Sequence, residues 1–327
     1  MKLIKVHILL TIFFFLSCSK TDYDLQLEED PILHHQSEYI IALGDLQTYT
    51  SQTSSLPYLH KTMTWINTQK KYGKNINCIL QVGDITDNNS SKQWKRFYDC
   101  TYPIAYDMQY IACTGNHDYD CDENGRIFDR TSTMINLYAA FSSTCQNIID
   151  SFEKDKIENV VVSNTIHGER YDIIVLEFGP RIEVVEWAVD YVSAHHDRKF
   201  ILMTHEFLTS SGERVSSGSY AEWQIRNSSW SSPEDVWQKL VKDNDNIVCV
   251  LCGHNGFSAQ LYSKNTAGRD VPQILFNLQY QENGGDGMIQ LWEFPEQSDS
   301  ASVRVYNTIK RKFHTDPSTS FKFRYRY

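Results

Sequence analysis

Short β-rich runs alternate with amphipathic helical stretches along about the first 250 residues, and this alternation narrows the folds that are open to the chain. Strands that alternate with helices form largely parallel sheets covered by helices. The predicted strands cover residues 38–45, 76–84, 109–115, 158–164, 171–178, 198–205 and 246–254. The predicted helices cover residues 56–72, 90–101, 129–141, 181–196 and 233–243.

The pattern changes after His254, where only β-rich runs separated by turn signals follow. These runs cover residues 257–263, 271–279, 287–294 and 302–308, and the closing FKFRYRY predicts a last strand. No internal repeat and no linker interrupts residues 38–327, so we expect a single domain with a sizeable core.

Five predicted strands end in, or are closely followed by, a polar residue able to bind a metal ion. These residues are Asp45, Asp84, Asn116, His205 and His254. In open α/β sheets, ligands bind in the crevice outside the carboxyl ends of the strands. We therefore expect these side chains to meet at one site although they lie far apart in the chain.

The residue types in this set indicate a particular chemistry. Carboxylate and amide oxygens mixed with imidazoles suit a pair of divalent cations, and the absence of cysteine argues against a structural zinc site. Asp84 is the natural bridge, because its two carboxylate oxygens can serve two ions. Such a pair deprotonates a water molecule and stabilises the attacking and leaving oxygens of a phosphoryl displacement.

The motifs around these residues occur in a fixed order. They read GDLQ (44–47), GDITDN (83–88), GNHD (115–118), TH (204–205) and GHNG (253–256). In order and placement, over about residues 38–310, they resemble the calcineurin-like metallophosphoesterases, and most of all a bacterial secreted or lipoprotein branch whose first motif reads D-x-Q. The resemblance implies an α/β fold, a four-layer α/β/β/α sandwich of mixed sheets with helices on the outer faces.

The resemblance also implies a role for each matching residue. The implied metal ligands are Asp45, Gln47, Asp84, Asn116, His205 and His254. Asp84 would bridge the ions, and the second site would be completed by Asn116 and the two histidines. His117 would protonate the leaving oxygen or stabilise the transition state, and Asp118 would orient the imidazole of His117.

Two residues depart from the family pattern. Gln47 stands where the family usually has a first-site histidine, and Gly256 stands where the motif GHxH has its second histidine. The first ion keeps mostly oxygen ligands, so we expect it to bind weakly and to be one, such as Mn²⁺, that accepts oxygen and water. Two further residues could supply a missing ligand: Asn255 and His167.

Two arginines are candidates for contacting a substrate phosphate. Arg181 opens a predicted helix beside a strand end, although a salt bridge at the helix start would explain it equally well. Arg214 lies in the long Gly/Ser-rich and aromatic stretch 206–230, whose composition suits a loop over a pocket. Tyr220 and Trp223 of that loop are further candidates.

The first residues read as a secretion signal. A basic start is followed by an apolar stretch too short to span a bilayer, and it ends in Ser17-Cys18, which resembles a bacterial lipobox. We expect residues 1–17 to be removed and Cys18 to be lipidated, with an ordinary signal peptide as the alternative. Residues 18–37 are polar and acidic, as in a flexible tether to the domain 38–327.

Charge and cysteine usage exclude several classes of protein. The net charge is −10 and the Lys and Arg residues are dispersed, so the sequence predicts no basic surface for binding a nucleic-acid backbone. Seven cysteines follow Cys18, an odd number without a zinc-finger pattern, so most should be small buried hydrophobes. A single disulfide bridge, such as Cys113–Cys121, is also compatible with the sequence.

These observations predict a lipid-anchored metallophosphoesterase of a bacterial envelope. It would hydrolyse phosphate mono- or diesters with two divalent ions (Mn, Fe, Zn or similar) and touch the membrane only through its N-terminal lipid. One alternative is a degenerate metal-containing protein that captures a phosphorylated ligand without turnover, against which His117 weighs. Another alternative is a structural or adhesive surface lipoprotein.

Overall fold

Two mixed β-sheets and the helices around them make up the computed structural model, which describes residues 20–127, 129–139, 146–216, 224–225 and 230–327. The described strands are β1 Ser37–Leu43, β2 Asn75–Gln81, β3 Gln109–Ala112, β4 Ile148–Ser151, β5 Val160–Val162, β6 Thr165–Ile166, β7 Glu169–Val175, β8 Lys199–Met203, β9 Ile247–Cys252, β10 Phe257–Lys264, β11 Asp270–Asn277, β12 Met288–Pro295, β13 Ser300–Asn307, β14 Lys312–Phe313 and β15 Ser320–Arg324. The described α-helices are α1 Asp22–Gln26, α2 Gln47–Ser51, α3 Leu56–Lys71, α4 Ser91–Ala105, α5 Ile135–Tyr138, α6 Ile182–Ala194 and α7 Pro233–Val236, and a π-helix continues α7 over Trp237–Val241.

Each sheet contains a group of neighbouring parallel strands, at one end of the first sheet and in the middle of the second. The first sheet runs β14-β13-β12-β1-β2-β3, with β15 also on β13, and its strands β1, β2 and β3 are parallel. The second runs β10-β11-β9-β8-β7-β5-β4, with β6 on β7, and its strands β11, β9, β8 and β7 are parallel. The carboxyl ends of both parallel groups are therefore available for a shared site.

Strand β1 shows why the central strands are apolar throughout. Ile40 packs into the cluster between the two sheets, whereas its neighbours Tyr39 and Ile41 pack into the cluster under α3 and α4. Side chains alternate between the faces of a strand, so a strand buried on both faces needs apolar residues at nearly every position.

Three apolar clusters hold the layers together. One fills the space between the sheets, a second joins α3 and α4 to the first sheet through Trp65 and Trp94, and a third joins α6 and α7 to the second sheet through Val184 and Val236. This arrangement of helices, sheet, sheet and helices confirms the four-layer α/β/β/α sandwich expected from the sequence.

The predicted helix over residues 129–141 is much shorter in the structure. Only α5, Ile135–Tyr138, is helical among the described residues of this range. Ahead of it, the Asp129 carboxylate accepts hydrogen bonds from the backbone N (2.7 Å) and hydroxyl (2.7 Å) of Thr131. Such local side-chain bonds compete with the helical ones and produce a turn.

The segment predicted to be a flexible tether is packed against the domain over residues 20–37. Asp30 is 1% exposed, and its carboxylate accepts hydrogen bonds from Trp65 Nε1 (3.1 Å), Tyr306 OH (2.5 Å) and Arg311 Nε (3.0 Å). A buried carboxylate requires such donors, and these three fix the segment to α3 and to the end of the first sheet. The acidic composition of this segment is typical of disordered chains, so no sequence signal indicated the buried contact at Asp30.

The structure also describes the two cysteines of the predicted bridge and the helices that could contact a membrane. Cys113 and Cys121 are both free thiols, so the bridge left open by the sequence is absent. None of the described helices combines the length and apolar character of a membrane span. The predicted signal, residues 1–17, and the lipidation residue Cys18 lie outside the described residues.

Candidate metal centre

The loops after the parallel strands of both sheets carry the predicted ligands, and the structure brings them together. Each ligand lies within four residues of the end of β1, β2, β3, β8 or β9. In chain order they are Asp45, Asp84, Asn116, His205 and His254. Because the two sheets pack face to face, their carboxyl ends form one edge of the molecule, and all five residues lie along it.

Four side-chain atoms from these loops converge on one point. Asn116 Oδ1 lies 3.2 Å from His205 Nε2 and 2.9 Å from His254 Nδ1, and these two nitrogens are 3.2 Å apart. Asp84 Oδ1 lies 3.3 Å from His205 Nε2. Two oxygens and two imidazole nitrogens at this spacing fit a divalent ion such as Zn²⁺, Fe²⁺ or Mn²⁺.

The orientation of His205 is set by the strand beside it. Its Nδ1 donates a hydrogen bond to the Val82 carbonyl (2.6 Å), which leaves the Nε2 lone pair facing the centre, as in metal-binding imidazoles. Burial alone would lower the pKa of His205, but the Asp84 carboxylate raises it to about 10. The centre therefore favours a positive charge at this point.

The backbone at two ligands lies in the left-handed region, which is costly for residues other than glycine. Asp84 has φ 49° and His254 has φ 68°. Such conformations persist at functional sites only where neighbours hold them. Here the Asp84 carbonyl accepts a hydrogen bond from Leu46 N (2.9 Å), and the His254 carbonyl accepts one from Asn277 Nδ2 (3.1 Å).

Comparison with known proteins agrees with this geometry. The sequence model described as calcineurin-like phosphoesterase matches residues 39–255, which include every one of the converging ligands. The chain belongs to the calcineurin-like phosphoesterase family.

A relative of known sequence is similar over most of this chain. The chain is 26% identical over 289 residues to the uncharacterized protein YvnB of Bacillus subtilis (strain 168), a match that covers 85% of this chain and 20% of YvnB. The chain thus spans about a fifth of that relative.

Two solved structures are similar at low identity. A 5'-nucleotidase precursor from Thermus thermophilus has TM-score 0.40 and 13% identity, with 88% of this chain and 54% of that chain covered. The sulfate thiohydrolase SoxB of the same organism has TM-score 0.43 and 9% identity, with 83% of this chain and 44% of that chain covered.

His117, the acid expected from the calcineurin-like motif GNHD, is oriented by the backbone. Its Nδ1 donates to the Asp87 carbonyl (2.8 Å), because a carbonyl can only accept, and Nε2 is left to exchange a proton. The expectation that Asp118 orients this imidazole is wrong. Asp118 instead accepts hydrogen bonds from Gly115 N (2.9 Å) and Thr86 N (2.9 Å), and so ties together the two loops that carry Asp84 and Asn116.

Burial separates Asp118 further from a catalytic role. Its side chain is fully buried, and burial, with the Asp84 charge nearby, raises the pKa of Asp118 to about 6. A carboxylate that is enclosed by backbone donors positions a loop; it does not reach a substrate.

The loops near Asp45 carry the two residues that depart from the family motifs. Asp45 is 2% exposed and its Oδ1 accepts a hydrogen bond from His254 N (3.2 Å), and Gln47 begins α2 two residues further on. Gly256, in place of the second histidine of GHxH, faces the ring of Tyr280: a Cβ at position 256 would lie 3.0 Å from Tyr280 Cδ2. The ring of Tyr280 therefore leaves little room for a side chain at position 256.

The two residues that could have replaced the missing histidines, Asn255 and His167, are bonded elsewhere. Asn255 donates from Nδ2 to the Leu208 carbonyl (2.7 Å). His167 lies at the opposite end of β1, where its Nε2 is 2.8 Å from the Phe294 carbonyl and its backbone N donates to Glu38 (3.0 Å). Both predictions are corrected by these contacts.

The two candidate substrate arginines are occupied elsewhere. Arg181 pairs with Glu177 (2.8 Å) and Glu153 (2.8 Å), which matches the alternative of a salt bridge at the start of α6. Arg214 pairs with Glu234 (2.6 Å) and lies over a tryptophan of the neighbouring helix. Tyr220 and Trp223 fall outside the described residues.

Four residues near the centre were missed by the sequence analysis: Glu206, Asn277, Gln279 and Tyr280. Glu206 follows His205 directly, and its Oε1 lies 3.7 Å from His254 Nε2. Burial raises the pKa of Glu206 to about 7. Asn277 ends β11, so the rule that polar residues at the ends of parallel strands form the site would have found it.

Proposed function

We propose that the chain hydrolyses phosphate mono- or diesters at a dinuclear metal centre that activates a water nucleophile. The observation that supports this proposal is the convergence of Asp84, Asn116, His205 and His254 on one point, with His117 directly after a ligand in the chain. A binding protein would need the ligands but would have no use for an adjacent proton donor.

The ions would supply a water of lowered pKa and would neutralise the charge that develops on the phosphoryl oxygens. In this displacement the water oxygen bonds to phosphorus while the ester P–O bond breaks. His117 Nε2 gives its proton to the departing alcohol oxygen, and the Asp87 carbonyl holds the imidazole in place for that transfer.

A cavity of about 550 Å³ opens beside this imidazole and would receive the leaving group. Asn116 and His117 form one wall, and Asp87, Asn88 and Gln224 contribute to the rest. Several of these side chains can form hydrogen bonds, so we expect a leaving alcohol that bears hydrogen-bonding groups to be held in this cavity.

Removal and return of metal tests the proposed activity. Protein dialysed against a chelator should hydrolyse neither p-nitrophenyl phosphate nor bis-p-nitrophenyl phosphate, and Mn²⁺ should restore hydrolysis of at least one of them. Measured release of nitrophenol is compared with ions bound per chain. Two bound ions without any hydrolysis across a panel of mono- and diesters would favour the alternative of a protein that captures phosphorylated ligands.

We also propose that this phosphoesterase is lipid-anchored in a bacterial envelope, which rests on Ser17-Cys18 after the apolar leader. The Cys18→Ser variant should move from the membrane fraction to the soluble fraction, since a thioether-linked lipid requires the thiol. A matched Ser17→Ala variant, which keeps the thiol, should remain with the membranes. Cofractionation of Cys18→Ser with membranes would contradict the anchor.

A further inference from the structure

Three amide side chains surround Asp45 at the position of the first metal. Asp45 Oδ2 accepts hydrogen bonds from Asn277 Nδ2 (2.5 Å) and Gln279 Nε2 (3.1 Å). Gln47 Nε2 in turn donates to Gln279 Oε1. All four residues are buried, at 8% exposure or less.

One atom of this group stands out chemically. Gln47 Oε1 is buried and has no hydrogen-bond partner. A buried carbonyl oxygen without a partner is costly, and a cation is one of the few partners that would relieve that cost. An amide turned by 180° also presents its oxygen where its NH₂ group stood, so Gln279 can offer Asp45 an N–H or offer an ion an oxygen. Asn277 keeps its present orientation, because its Nδ2 also donates to the His254 carbonyl and its Oδ1 accepts from Gln279 N.

The charge around the group favours a cation as well. Asp45, Asp84 and Asp118 are three buried carboxylates in one region. Buried negative charges in one region repel one another, because little water is present to screen them. A divalent ion between Asp45 and Asp84 would offset that repulsion.

We propose that Gln47 and Gln279 form, with Asp45, an all-oxygen site for a hard divalent cation of the Mg²⁺ and Mn²⁺ type, while Asn277 holds the Asp45 carboxylate in place through its N–H group. This inference rests on the proposed function, and it assigns to the amides the place of the two missing first-site histidines. The neighbouring site keeps two imidazole nitrogens, so the two positions select different ions: the amide site should reject Zn²⁺, which prefers nitrogen and sulfur ligands.

Changes at Gln279 separate this site from a purely structural one. As an ion ligand, a carboxylate in Gln279→Glu should tighten Mn²⁺ on the order of 10-fold, because ligand charge sets the affinity of oxygen sites. If the amides only hold Asp45 through N–H groups, no ion needs the Gln279 oxygen, and Gln279→Leu, which removes that oxygen, should keep the same number of bound ions as wild type. The two accounts therefore predict different ion counts for Gln279→Leu.

The measurement is the number of ions bound per chain after chelation and equilibrium dialysis against Mn²⁺, Mg²⁺ or Zn²⁺, by plasma mass spectrometry. Wild type should bind one ion tightly and a second Mn²⁺ or Mg²⁺ more weakly. Gln279→Leu should lose only the weaker ion. Gln281→Glu, the same charge change at an exposed position two residues on, should leave both affinities unchanged.

A second variant covers the possibility that changes at Gln279 prevent folding. Gln47→His adds one imidazole and should let the weaker position accept Zn²⁺, which wild type should not do there. A wild type that binds a single ion under all conditions, or a weaker Mn²⁺ affinity in folded Gln279→Glu, would overturn the site. Since binding alone is measured, two bound ions without hydrolysis would contradict the proposed function and leave this site standing.

Discussion

The His117→Ala variant is expected to lose about 10²- to 10⁴-fold in kcat while it keeps its metal content, the range for removal of a general acid. The imidazole donates to a backbone carbonyl and shares no hydrogen bond with the converging ligand atoms. Its removal should therefore leave the ion in place and take away only the proton donor. The measurement pairs steady-state kinetics with ions bound per chain.

The neighbouring Asn116→Ala variant is the matched comparison. Asn116 Oδ1 lies within 3.2 Å of both histidine nitrogens, so its loss should reduce occupancy of the second site as well as the rate. Equal loss of metal in the two variants would contradict the division between a proton donor and a ligand. A leaving group with a low pKa should also rescue His117→Ala in part, because it needs no protonation.

The Gly115→Ala variant is expected to lower activity by about 100-fold or more, although Gly115 is not itself a ligand. A Cβ at this position would overlap the backbone N and Oδ1 of Asp84. The loop that carries Asp84 must then shift, and displacement of catalytic groups by about 1 Å costs on the order of 10²-fold in rate. Ions bound per chain should fall along with hydrolysis.

The matched control is Gly73→Ala, at the end of α3. Gly73 has φ 77° and nothing within 4 Å of an added Cβ, so alanine there pays only backbone strain, about 1 kcal/mol of stability. Metal content and kcat should stay as in wild type. A Gly115→Ala protein with wild-type metal content would mean that the two loops can separate without loss of the centre.

The placement of the ligands could be predicted because it follows from a general property of parallel sheets. Asp84 and His254 lie far apart in the chain, yet each ends a parallel strand, and such ends share one edge. The same rule was not applied to β11, which lies in the β-only half of the sequence but pairs in parallel with β9. Asn277 at its end was missed for that reason.

Contacts set by tertiary packing could not be predicted in this way. Asp118 is next to His117 in sequence, but Thr86 N and Gly115 N enclose its carboxylate. Arg181 has a partner four residues away, which was foreseen, and another, Glu153, that no local pattern indicates. Pairings between distant loops depend on the final geometry of both, which sequence periodicity does not contain.

The contact between the N-terminal segment and the domain would determine how close a lipid anchor at Cys18 holds the protein to the membrane. Cys18 precedes α1 by four residues, which span roughly 14 Å at most. Since Asp30 is fixed to Trp65 on α3, a lipid at Cys18 would hold the domain close to the bilayer and restrict its tumbling. Tyr23 and Leu27, 55% and 46% exposed, would then lie within reach of the headgroups. The helical layer that contains α3 would then lie on the lipid side, and the edge that carries the converging ligands would stay within a limited distance of the bilayer.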